Sequence, residues 1–467
     1  MHKLISREKN LNFLFIILYL SIWGCIDTNF ENIFKFLNES NFRNTLLLIR
    51  STLPYLIFSI IIFISVDIKK FISKNKNINL IFLIFLLLFC LTLFSHFLSN
   101  NYYIFTYYFF ISIFLIFYFS YASNKGFLDI SFFISIFFLS LLVLVYGFLS
   151  IKYFLTTHNL NLYGTFPDVY ASLLVFSSNV IRSSGLARNT VILLIPLYLF
   201  LLISPISKKK FILLFFLSFL LYLSQSRLVL IYLLMFFFFS IIIFHRKEKM
   251  DKLLRKILIL IVLPFLLTGI IVVSKKQILT NDFLVNLIIN VYTKKNITEE
   301  NVDVEEKINY LKKLKEYEYI GPFIRKIDET TFSSGRVLYW NQILEKNQRI
   351  WIGNGFLGDR FLINNNASNL FFYSYASGGL ISLILLTIII LRSFYVCVNL
   401  IFINKIELKK ENLILISSIF LLSFFVFRGI GENSFGIFSI DMIIFLQSLL
   451  ICEKKIEILN KINVKKK

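Results

Sequence analysis

The sequence predicts an all-α polytopic membrane protein, with about 12 transmembrane helices and one large outer loop that carries short helices of its own. Three observations predict it. Of the 467 residues 57% are hydrophobic and only 16% charged, with 56 Phe and a mean hydropathy of +0.75. A soluble chain needs roughly 25% charged residues to cover its surface. The apolar residues come in unbroken runs, such as 211–223 behind the lysines at 208–210, rather than as one-sided stripes. Basic residues gather in alternate loops between those runs. A transmembrane β-barrel is excluded, because its strands would alternate polar and apolar residues.

Taken in order, the apolar runs fall at 11–26, 52–68, 78–98, 102–122, 127–149, 190–206, 211–223, 228–244, 257–273, 371–403, 413–427 and 437–452. The first follows Lys3, Arg7 and Lys9 without a small-residue cleavage site, so it reads as an anchor rather than a removed signal. The run at 371–403 is long enough to tilt or kink. With both termini inside, the inner segments carry 26 basic residues and the short outer segments 7. That asymmetry orients the chain. The outer segment 274–370 has 14 basic and 12 acidic residues, and long loops are exempt from the rule. The organisation is then an N-terminal bundle 1–273 with an outer loop at 156–189, the large loop 274–370, and a C-terminal unit 371–467 ending in a basic tail. Within the large loop, Ser333 or Ser334 can cap a helix through 337–344 that stops before the turn Gly353-Asn354-Gly355. Segment 169–180 reads as a short interfacial helix.

The formal net charge of +22 would suggest nucleic acid on a soluble protein. Here its placement serves topology, and no nucleic-acid partner is expected. The four cysteines Cys25, Cys90, Cys397 and Cys452 lie in or beside apolar runs with no CxxC or Cys/His cluster, which points to neither a disulfide framework nor a zinc site. No cofactor is expected. No metal is expected either, since no acidic cluster with metal-ligand spacing lies outside.

The outer arginines are few and distinctively placed. Arg227 closes Ser224-Gln225-Ser226-Arg227 between two spans with almost no loop, and an arginine near hydrocarbon costs roughly 2.5–3.5 kcal/mol without a partner. Arg182 and Arg188 flank Gly185, Arg336 follows Ser333-Ser334-Gly335, and Arg428 precedes Gly429, Gly431 and Glu432. Planar guanidinium forks match phosphate oxygens, so a membrane-borne diphosphate is a fitting ligand. Against this stands the plainer reading, in which such arginines snorkel to headgroups, Glu432 pairs with Arg428, and Trp340 and Trp351 belong to an interfacial belt rather than stacking on sugars. His96 and His158 are lone histidines near span ends. Composition and spacing therefore leave two classes open, an enzyme acting on an anionic membrane lipid or a transporter of one.

In their order, these segments resemble the O-antigen polymerase and O-antigen ligase superfamily of bacterial envelope enzymes. Arg182-Ser-Ser-Gly185 with Asn189 and Pro196 resembles the family's entry to a middle span, and Ser224-Gln-Ser-Arg227 its Ser-Arg turn. Gly335-Arg336 with Trp340, then Ile352-Gly353-Asn354-Gly355, is similar to its Arg…Trp…Gly-x-Gly stretch. Ala367-Ser368-Asn369-Leu370 and Ala376-Ser377-Gly378-Gly379-Leu380-Ile381 resemble its loop exit and span opening. Arg428, Glu432 and Asp441 resemble its last outer turn and last span. The match covers roughly 180–445. Ser368 stands where ligases of this type carry a histidine base, and an unassisted hydroxyl is a poor base; the acidic residue expected at Ser377 is also absent. Both departures favour polymerase over ligase.

The resemblance implies an inner-membrane enzyme with both termini cytoplasmic and a periplasmic active site. It would transfer undecaprenyl-diphosphate-linked oligosaccharide onto another lipid-linked repeat, with a chain-length regulator protein as a possible partner. Arg227 and Arg336 would hold the diphosphate, with Arg182, Arg188 and Arg428 in support. Asn189, Trp340, Trp351, Ser368 and Asn369 would line the glycan, and Asp359 and Glu432 are the candidates for the base. The alternatives are a ligase moving glycan to lipid A–core and a flippase of lipid-linked oligosaccharide.

Overall fold

A computed structural model describes residues 76–99, 125–156, 183–203, 208–224, 226–244, 336–404, 406–436 and 440–466, with single positions at 266 and 270. The expected spans at 11–26, 52–68, 102–122 and 257–273 lie outside the described residues, apart from those two positions. So do the segment 169–180, loop residues 274–335 and Arg182. The regular elements among the described residues are all helical: α1 Lys76–Leu98, α2 Lys125–Thr156, α3 Ser183–Ile203, α4 Lys208–Ser224, α5 Arg227–Phe244, α6 Arg336–Lys346, α7 Gly358–Ile363, α8 Leu370–Val398, α9 Leu413–Gly429 and α10 Ile440–Lys466. A π turn, Asn399–Ile403, extends α8.

Among the described residues, four stretches are long and apolar enough to cross a bilayer: Ile78–Leu98, Leu186–Ile203, Leu370–Ile403 and Lys410–Gly429. Shorter apolar stretches occupy α2, α4 and α5. The chain is thus a membrane-embedded helical protein. Its centre is α10, in which every residue from Asp441 to Glu453 is buried. A helix buried on all sides needs neighbours all round, and α10 packs on α2, α8 and α9, while α3 packs on α2, α4 and α9. Lipid tails are as apolar as leucine, so close packing and internal hydrogen bonds hold such a bundle rather than exclusion of water. Several hydrogen bonds and ion pairs cross between its helices. Tyr232 on α5 donates to the Phe420 carbonyl of α9 at 2.6 Å, and Gln447 on α10 donates to Ser135 of α2 at 2.9 Å. Arg392 of α8 makes a two-pronged ion pair with the buried Glu453 of α10. Beyond the buried stretch, α10 continues as a helix through most of the basic tail, where Glu457 links Lys454 and Lys461 at the spacings helices favour.

The 371–403 run does kink. Helix α8 breaks at Gly378 (φ −132°, ψ 16°) and Gly379 (φ 64°, ψ −160°), the second a conformation essentially reserved for glycine. A broken helix strands backbone groups, and the loop 350–355 takes up four of them. Asn354 and Gly355 donate their N–H groups to the Ala376 and Ser377 carbonyls at 2.9 and 2.7 Å, while Leu380 and Ile381 donate to the Ile350 and Trp351 carbonyls at 2.8 and 3.4 Å. Contact this close needs bare backbone on both sides. A Cβ on Gly353 would stand 2.6 Å from the amide nitrogens of Gly378 and Gly379. The same loop is tied to the end of α1, where Ser99 donates to the Asn354 carbonyl at 2.8 Å and Ser95 to that of Ile352. Arg349 donates to the Leu98 carbonyl at 2.7 Å, a cation on the negative end of a helix. Above the break, Ile343, Ala367, Tyr373 and Ala376 form a small second core that joins α6 to the first arm of α8. This end of the bundle, carrying α6, α7 and the turn 430–436, is called the loop face below.

Candidate functional site

The loop face is organised around the turn after α9. Gly431 stands at its centre: a Cβ placed there would lie 2.6 Å from Leu228 Cδ1 and 3.3 Å from Arg336 Nη1. Arg336 opens α6 and Leu228 is the second residue of α5, so two segments more than a hundred residues apart meet on one glycine. Arg227, the first residue of α5, is brought to this turn by its backbone. Among the described residues, Arg336 is half-buried and its guanidinium makes no hydrogen bond or ion pair. A guanidinium with no partner among the described residues is suited to an anionic ligand.

Beneath the turn runs a buried chain of charges. Asp441 at the start of α10, 1% exposed, accepts from Arg428 Nη1 at 2.7 Å and from Arg188 Nη1 at 3.1 Å, both through Oδ2. Arg428 also donates to Glu432 Oε2 at 2.6 Å, and Arg188 donates to Asn189 Oδ1 at 3.0 Å. The network pins α3, α9, α10 and the turn together, and breaking one buried pair costs about 3–5 kcal/mol, because the remaining charge is left unpaired. Its exposed end is Glu432, whose side chain is 30% accessible and whose other oxygen has no hydrogen-bond partner among the described residues.

A second polar knot joins the turn to the loop ahead of α8. Asn369 caps α8, its Oδ1 accepting from the N–H groups of Phe371 and Phe372 at 2.8 and 3.2 Å, while its Nδ2 donates to the Ile430 carbonyl at 2.8 Å. Its N–H donates to Asn433 Oδ1 at 3.2 Å. Asp359, fully buried, accepts from the N–H of Ala367 and of Arg360, both at 2.9 Å, and from Asn433 Nδ2 at 3.5 Å. Burial pushes the Asp359 carboxyl above its ordinary pKa, against the opposing pull of these hydrogen bonds and of Arg360.

Several expectations change on this geometry. Asn369 has both ends of its side chain engaged in the fold, as the cap of α8 and as a tie to the turn. Trp340 lies stacked on Phe372, with ring centres 5.0 Å apart, and donates to the Ala367 carbonyl at 2.8 Å; it braces the loop. Asp359 is sealed from the surface and serves as a loop tie rather than a base. Arg428 is 2% exposed and, like Arg188 with Asn189, belongs to the charge network. Ser368 takes a left-handed backbone (φ 49°), its N–H donating to Asn366 Oδ1 at 2.9 Å. Trp351 stays exposed, at 65%. Arg336 and Glu432 remain at the Gly431 turn, together with the backbone at the start of α5. Sequence reasoning placed Asp441 in the resemblance and gave it no part in the site beyond that of an ordinary intramembrane partner, and Arg188 and Arg428 are the partners it finds. Arg349 carried no signal of its own, since it sits in a polar loop.

A cavity of about 90 Å³ lies in the elbow of α8. Phe85, Leu88 and Phe89 of α1, Tyr373 and Leu386 of α8, and Phe435 of the turn give it an apolar lining, and Ser374 and Ser382 bridge the two arms of α8 across it at 2.8 Å. Among the described residues no three His, Cys, Asp or Glu side chains come together as a metal site would need. No family model, no curated protein and no solved structure matches this chain.

Proposed function

We propose that the chain is an O-antigen-type polymerase of the bacterial inner membrane, built on about 12 spans with the loop face in the periplasm. The observation that carries the reading is the meeting of Arg336 and the start of α5 at Gly431, beside the exposed carboxylate of Glu432. A polyprenyl diphosphate bound there would have its phosphates against Arg336, and the resemblance assigns Arg227, the first residue of α5, to the same diphosphate. The hydroxyl oxygen of an acceptor sugar attacks the anomeric carbon of the donor, the C1–O bond to phosphate breaks, and the diphosphate leaves with the bonding electrons. Glu432 takes the hydroxyl proton. Energy is already stored in the donor linkage, so catalysis consists of positioning the two lipid-tethered glycans and stabilising the departing charge.

The ligase reading is weakened by Ser368 standing in place of a basic residue. The flippase reading draws on the broken α8, because transporters bind cargo at discontinuous helices. Four of the groups freed by this break are occupied by the 350–355 loop, however, and the unpartnered charge lies at the loop face instead. Genetics separates the three. Deleting a polymerase leaves lipid A–core bearing one repeat, whereas deleting a ligase or flippase leaves none. Arg336→Ala and Arg227→Ala should each abolish long chains at normal protein level; wild-type glycan ladders from both variants would overturn the assigned roles.

A further inference from the structure

Trp351 is 65% exposed and its neighbour Ile350 49%, although the backbone beneath them is clamped to α8. The clamp strings them onto a continuous apolar surface. On α8, Ile381, Ile384, Ile388 and Leu391 are 40%, 57%, 42% and 62% exposed, at the alternating spacing of three and four that makes one helix face. Only 28% of the most apolar window of this span is buried inside the protein, as expected of a stripe that faces lipid. The Trp351 carbonyl accepts from Ile381, the first residue of the stripe.

Two rulers fix the depth of this point. From Ile381 to Ile403 the helix advances roughly 33 Å at 1.5 Å per residue, close to the hydrocarbon thickness of about 30 Å. The span Ile78–Leu98 of α1 gives a similar length, and its last carbonyl is held by Arg349, two residues before Trp351. Both place Trp351 where acyl chains give way to headgroups, the level at which an indole, apolar in body and polar at one tip, is most stable.

We propose that Ile350 and Trp351 form a foot that seats the loop face in the adjoining bilayer leaflet, with the Trp351 ring in contact with lipid rather than with glycan. The foot continues the lipid-facing stripe of α8, and through the clamp at Gly378 and Gly379 it sets the height of the loop face above the membrane. The proposal is independent of the catalytic reading.

The test is tryptophan emission of the full-length protein in nanodiscs, taken as wild type minus Trp351→Phe, so that Trp23 and Trp340 cancel. With phosphatidylcholine brominated at acyl carbons 6 and 7, the Trp351 emission should fall roughly twofold or more, and by less when the bromines sit at carbons 11 and 12, as interfacial indoles do. Emission that ignores both brominated lipids while iodide in the buffer quenches it, or that shifts on adding soluble oligosaccharide, would overturn the foot. So would stronger quenching from the deeper bromines.

Discussion

Replacing Gly379 with alanine tests how the two halves of the loop face are joined. The added Cβ would collide with the Trp351 carbonyl and stand 2.5 Å from the Ile352 nitrogen, all of it backbone and unable to rotate aside. The φ of 64° with ψ −160° adds strain of about 1–3 kcal/mol for any residue with a side chain. Relief comes only by withdrawing the 350–355 loop, which gives up four backbone hydrogen bonds worth about 0.5–1.5 kcal/mol each. The expected result is therefore local opening at a cost of roughly 2–6 kcal/mol, the four hydrogen bonds given up, with the bundle core around α10 intact. Hydrogen exchange in detergent should show the amides of Asn354, Gly355, Leu380 and Ile381 exchanging faster by at least a hundredfold, while amides of residues 442–452 keep their protection. Gly378→Ala should disturb the elbow from its other side, since its φ of −132° suits any residue but its Cβ would collide with Ser382 Cβ, an atom fixed to its own backbone. Unchanged protection at the four amides in Gly379→Ala would refute the clamp.

Asp441→Ala, which strands Arg188 and Arg428 in the buried network, should destabilise the protein by about 3–5 kcal/mol, read as a loss of folded protein in a detergent thermal melt. Exchanging the charges of Arg392 and Glu453 singly should destabilise strongly, and exchanging both together should restore much of the loss in a double-mutant cycle. Asp359 has a raised pKa in the fold, so its folding contribution is full below its ordinary pKa of 3.8 and declines as pH rises from there through the raised value. Removing the carboxyl by Asp359→Asn should flatten that part of the stability–pH curve while costing about 1–3 kcal/mol, because the amide turns an N–H toward a backbone donor.

Much of the fold was legible because hydropathy is local. The runs at 78–98, 190–206, 371–403 and 413–427 needed only composition and length, and the helix expected at 337–344 appears as α6. The site was legible only as a set of suspects. Arg336 and Glu432 stand out along the chain as a charge after glycine and a charge in a short turn, but nothing local says that Leu228, Arg336 and Gly431 touch. Likewise Asp441 lies 253 positions from the Arg188 it binds. The engaged side chains of Asn369, Trp340 and Asp359 show the same limit. Their residue types suit ligand binding and internal capping equally well, and tertiary contacts decide which. Gly353-Asn354-Gly355 and Gly378-Gly379 were each visible as turn signals, yet their mutual docking depends on two backbones approaching too closely for any side chain.

On the polymerase reading proposed above, the guanidinium of Arg336, which has no partner among the described residues, grips the diphosphate of a polyprenyl lipid beside Gly431. Binding of undecaprenyl diphosphate to the purified protein in nanodiscs, measured by calorimetry for wild type and Arg336→Ala, tests that grip most directly. The account predicts at least a tenfold loss of affinity in the variant, equivalent to about 1.4 kcal/mol, with an unchanged melting temperature. Equal affinities in two equally stable proteins would contradict it.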